Sequence, residues 1–182
     1  MKHQTSWILG GAAMMLATTI AASASSPQAQ AKPAGKMTAE LLAKNVGELT
    51  AAEEEEFSAA AEATIERVCI LCHPFENIIK TRRSVRDWSD QVTIMSQRGA
   101  PGTEPDFSLI KKYLTRYYGI VRVNTASAEE LSAVLGLPPK VAAAVVEYRT
   151  TNGKFADVAA LEKVAGVDKA KLEEQPEALR FD

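Results

Sequence analysis

The chain has 182 residues, 46% apolar and 24% charged, with a formal net charge of -2, an ordinary globular composition that excludes a disordered or fibrous chain and fits one or two small domains. Aromatic residues make up only 6%, and the longer apolar patterns recur at helical rather than alternating spacing, so the expected class is all-α. No run alternates well enough to predict a strand.

Residues 1–31 read as a secretory signal peptide: Lys2 and His3 precede an apolar stretch from Trp7 to Ile20, and small residues follow it. Cleavage is expected after Ala24 or Ala31, each ending a small-x-small triplet. An uncleaved anchor is the alternative, although the apolar run is short for a membrane span. The mature chain is therefore expected in the periplasm with no transmembrane segment. Residues 32–49 form a linker, low in complexity to about Lys36, followed by a short helix over 38–49 around Leu41, Leu42, Val46 and Leu49.

Thr50 opens a stronger helix, with Glu53 to Glu56 near its positive end and Phe57, Ala61, Ile65 and Val68 on one apolar face. It leads straight into Cys69-Ile70-Leu71-Cys72-His73. The spacing C-x-x-C-H is the attachment signature of haem c: Cys69 and Cys72 form thioethers to the porphyrin and His73 binds the iron. Export agrees with this, since haem is joined on the outer side of the inner membrane, where a bare pair of thiols tends to oxidise. A redox C-x-x-C normally follows a strand, and a zinc site needs about four ligands. Two cysteines and one histidine fall short of that number.

After a loop, a helix is predicted from Ser84 to Gln97 (Val85, Trp88, Val92, Met95), closed by Gly99, and another from Thr103 (Phe107, Ile110, Leu114, Tyr117), stopped by Gly119. The only other histidine, His3, lies in the leader, so the sixth iron ligand falls to a methionine, and Met95 stands at the end of an apolar helix face. The alternative is that Met95 fills the core and the iron is open, as a ligand sensor or small peroxidase needs. Arg82, Arg83 and Arg86 stand together in a segment, 64–119, with nine Lys or Arg against six Asp or Glu. They suit haem propionates or an acidic redox partner, or else form a solvated surface.

The stretches CILCHPF, WSDQVTIMSQRGAPG and FSLIKKYLTRYYG resemble the short monohaem cytochrome c domains that accompany periplasmic dehydrogenases. The resemblance covers about residues 55–119 and implies a compact helical cytochrome, with Met95 as the distal ligand and Trp88, Tyr113 and Tyr117 near the haem.

From Val121 the chain becomes alanine-rich and evenly punctuated. Ser127 and Glu130 form a capping box for a helix to Leu135; Gly136-Leu137-Pro138 turns; Pro139 starts a helix to about Thr150. A second pass follows, with Asp157 capping a helix to Val164, a turn at Ala165-Gly166-Val167, and Asp168 starting a helix to about Glu174. Leu131, Leu135, Val141, Val145, Val146, Tyr148, Phe155, Leu161 and Val164 are the expected core. These passes resemble the tandem helix-hairpin-helix domain of competence DNA-uptake receptors, which implies a phosphate held by backbone N–H groups at a Gly-apolar-Gly hairpin. Here Pro138 and Asp168 replace the second glycines, one lacking an N–H and one bringing negative charge, and both disfavour DNA. From Val121 on there are eight Lys or Arg against ten Asp or Glu, a poor balance for neutralising phosphates.

Together these features predict a signal peptide (1–31), a linker (32–49), a cytochrome c-like haem domain (50–119) and a helix-hairpin-helix domain (120–182). The function expected is that of a periplasmic one-electron carrier, not an enzyme, docked by its second domain onto a redox partner protein. A haem-bearing DNA-binding or uptake protein is the alternative. No general base or phosphate loop remains for catalysis once His73 is bound.

Overall fold

A computed structural model of the chain describes residues 39–182. The expected signal peptide and the start of the linker lie outside the described residues. The rest is mostly helical, as the apolar periodicity requires.

Three long helices form the core of the first half. Thr50 starts α2 (Ala51–Val68) with a complete capping box to Glu53. Ser84 starts α4 (Val85–Gln97), and Thr103 starts α5 (Glu104–Tyr118) with a second box to Asp106. Each cap satisfies backbone donors that the first helical turn leaves free. Phe57, Ile65, Trp88, Val92, Ile110 and Leu114 belong to the shared core of the three helices. Two local readings change. The single helix expected over 38–49 is broken into α1 (Ala39–Ala43) and a 3-10 turn (Val46–Glu48), because the Asn45 side chain accepts the Gly47 N–H at 2.8 Å and restarts the chain. The loop expected after His73 contains a five-residue helix, α3 (Phe75–Ile79).

The second half packs α6 (Ala128–Leu135) against α7 (Pro139–Asn152), with the shorter α8 (Val158–Leu161) and α9 (Lys169–Glu173) completing the second pass. Leu131, Leu135, Val145, Phe155, Leu161 and Val164 are buried in one cluster, and Val141, Val146 and Tyr148 pack half-buried against it. Two very short strands appear where none was predicted: β1 (Val121–Arg122) pairs in parallel with β2 (Leu179–Arg180), tying the start of this half to its end. Two residues are too few to show an alternating pattern.

The halves are joined through buried polar groups. Arg116, only 3% exposed, reaches the Glu54 carboxylate on α2 at 3.3 Å and the Val134 carbonyl at the end of α6 at 3.5 Å. Ser132 on α6 donates to Asn45 at 2.8 Å. Gly47 lies so close to the first hairpin that a Cβ there would stand 2.1 Å from the Leu137 carbonyl oxygen, so no larger residue fits without moving backbone.

Candidate functional site

The C-x-x-C-H motif follows the last turn of α2. Cys69 is the C-cap, its N–H bonded to the Ile65 carbonyl at 2.7 Å. The chain then tightens, with the Cys72 N–H on the Cys69 carbonyl at 3.3 Å. This turn leaves Cys69 half-buried and Cys72 exposed, both as free thiols. Burial pushes the Cys69 thiol above its ordinary range, and neighbouring Cys72 adds to the shift.

Cys69, Cys72, His73 and Met95 all line one cavity of about 430 Å³, within the size range of small-molecule and cofactor pockets. Four residues chosen from sequence alone are thus brought together from two separated elements. Val92, Phe107, Ile110 and Leu114 contribute apolar wall. His73 Nδ1 is buried and has no hydrogen-bond partner. Trp88, fully buried, fixes the wall by donating its indole N–H to the Tyr118 carbonyl at 2.9 Å.

Of the three clustered arginines only Arg83 lines this cavity. Arg82 is occupied elsewhere, donating to the carbonyls of Tyr117 and Gly119 at 3.0 and 3.2 Å and to the Glu177 carboxylate. Arg86 is solvated, 88% exposed, with Asp90 at 3.9 Å. The sequence offered no signal to separate the three. Nor did it mark Asn77 and Ile78, which α3 adds to the lining.

The two hairpins differ in what they present. In the first, Gly136 takes a left-handed φ of 63°, a conformation glycine adopts readily, and Leu137 is fully buried. Pro138 and Pro139 then enter α7 without N–H groups, so the exposed Lys140 is the first residue there with a backbone donor. In the second, Gly166 has φ 89°, and the Asp168 carboxylate accepts the Ala170 N–H at 2.9 Å. A carboxylate of the protein itself therefore occupies the start of α9.

Residues 118–180 match the helix-hairpin-helix motif. The chain is 37% identical over 54 residues to "ComE operon protein 1" of Bacillus subtilis (strain 168), covering 30% of this chain and 26% of that protein. It is also 37% identical over 62 residues to an uncharacterized protein of Haemophilus influenzae, covering 34% of this chain and 55% of that one. The chain thus spans about a quarter and about half of these relatives' lengths. No solved structure matches.

These matches correct the description of the chain as an electron-transfer cytochrome c with haem iron as its working part. The family match falls on the helix-hairpin-helix half, residues 118–180. Among the described residues, moreover, no group of three or more His, Cys, Asp or Glu side chains is placed to hold a metal ion. Cys69, Cys72 and His73 are close in sequence, yet their side chains do not converge as one such group. A five-residue motif specifies attachment chemistry and says little about the helices around it. Among the described residues no helix is long and apolar enough to cross a membrane.

Proposed function

We propose that the protein is an exported DNA-binding protein of the competence-uptake kind, whose helix-hairpin-helix half contacts duplex phosphates through its first hairpin. The observation that carries this reading is the match of residues 118–180 together with the 37% identity to ComE operon protein 1. Exposed Lys140 follows the prolines of the first hairpin, and the Lys171 ammonium reaches the Gly136 carbonyl at 3.4 Å. Two lysines beside one hairpin supply the cationic contact that backbone N–H groups at Pro138 and Pro139 cannot. In this proposal the chain binds and positions, and is not an enzyme. A gel shift of the mature chain with short duplex DNA tests it: retardation is expected at low salt and is lost in Lys140→Glu, whereas no retardation at any salt refutes it.

A second reading, docking onto a protein partner, is favoured by one observation. Asp168 caps its own helix, so the second hairpin presents negative charge where a phosphate would need positive. In that case Lys140→Glu leaves DNA behaviour unchanged and weakens a protein complex instead.

We propose further that the first half carries one covalently attached haem c. The cavity, the two free thiols facing it and the orphaned buried Nδ1 of His73 fit such a group. Cys69, Cys72, His73 and Met95 would hold it. When bound, haem c supplies an iron centre able to change oxidation state. The chain's own residues exclude water with Val92, Phe107, Ile110 and Leu114. They also fix the wall through the Trp88 bond to Tyr118. Intact mass after export tests attachment, since a mass equal to that of the polypeptide alone refutes it.

A further inference from the structure

We infer that Arg83 is the acid-group anchor of the cavity, so that the occupant is a largely apolar molecule bearing a carboxylate. This rests on the cavity reading above and adds a residue role to it. Arg83 is held at both ends of its backbone: its N–H reaches the Tyr118 carbonyl at 3.3 Å and its own carbonyl accepts the Ile120 N–H at 2.9 Å. The guanidinium lies 5.6 Å from the centre of the Trp88 ring, which presses it to the cavity wall.

What the side chain lacks is a hydrogen-bond acceptor. Its Nε is buried without a hydrogen bond, an arrangement that costs free energy unless something accepts that donor. Arg98 also lines the cavity, and no aspartate or glutamate does. The site is therefore positive without a protein counter-charge, among apolar walls. A guanidinium in such a setting suits a carboxylate, which matches its planar array of donors and neutralises it. Arg82 and Arg86 cannot take this part, the first being spent on Tyr117, Gly119 and Glu177, the second standing in solvent.

The test uses the full exported protein with its attached group and measures the midpoint potential spectroscopically across pH. Arg83→Gln is expected to lower the potential and to make it depend more strongly on pH near neutrality, because the acid group loses its positive partner. Arg83→Lys, which keeps charge without the fork, is expected to shift less in the same direction, and it carries the comparison should Arg83→Gln fail to fold. Arg86→Gln is expected to behave as wild type. An Arg83→Gln protein whose potential and pH profile equal those of wild type overturns the anchor while leaving the cavity reading intact. Exported protein without any covalent group overturns both.

Discussion

Replacing Trp88 with phenylalanine should destabilise the first half by about 2–3 kcal/mol, through two separable losses. The indole N–H no longer reaches the Tyr118 carbonyl, now bonded at 2.9 Å. That carbonyl keeps a second donor, the Arg83 N–H at 3.3 Å, so it is not stranded. The loss is then the net worth of one bond, about 1 kcal/mol, rather than the full cost of an orphaned acceptor. The smaller ring also leaves a void at a site with 0% exposure, beside walls that include Val92 and Ile110. Such partial truncation of a buried aromatic costs about 1–2 kcal/mol, part of the range for complete removal. With a urea dependence of about 2 kcal/mol per molar, the unfolding midpoint should fall by roughly 1–1.5 M. Helical circular dichroism during urea titration of wild type and Trp88→Phe reads this directly. A midpoint unchanged within about 0.2 M would mean that the ring does not sit in the wall as described.

Three other outcomes follow from the same structure. Asp168→Gly should cost only a few tenths of a kcal/mol, since glycine is a tolerable cap, and should tighten duplex DNA binding at low salt by removing the negative charge from the second hairpin; unchanged affinity in a binding titration would separate that hairpin from the DNA contact. In chain made without its leader, mass spectrometry after brief alkylation should find Cys72 modified before Cys69, because Cys72 is exposed while burial raises the Cys69 thiol; the reverse order would contradict the turn geometry. The hydrogen bond from Lys44, helped by the Thr50 backbone N–H, lowers the Glu53 carboxyl to about 2. A depressed carboxyl stabilises the fold above its unfolded value, here the ordinary 4.5, and that contribution is lost as pH falls through the folded value. NMR titration of Glu53 should show its midpoint rising in Lys44→Ala.

Much of the fold was legible because helix caps leave local marks. Thr50, Thr103 and Ser127 each stand three residues before an acid, and all three form complete capping boxes. The hairpin core was legible for a related reason: one apolar face per helix leaves little choice about what is buried. Cys69, Cys72, His73 and Met95 could be picked by residue type, and they line one cavity. Other features depend on contacts distant in sequence. Nothing near Arg83 distinguishes it from Arg82; the difference is made by Glu177, 95 positions beyond Arg82. The break at Asn45 likewise rests on a side chain that caps Gly47 and accepts from Ser132, 87 residues away. The electron-carrier description rested on a resemblance over about residues 55–119, whereas the family match lies on the longer pattern of residues 118–180.

The most direct measurement is fluorescence anisotropy of a labelled duplex titrated with the mature chain between roughly 20 and 200 mM salt. Contact by one hairpin through about two or three cations gives a log affinity falling linearly with log salt, with a slope of roughly -2 to -3. That slope, reduced by about one in Lys140→Gln, is the result expected of a DNA-binding helix-hairpin-helix protein. Anisotropy that stays at the free-duplex value at the lowest salt would contradict it.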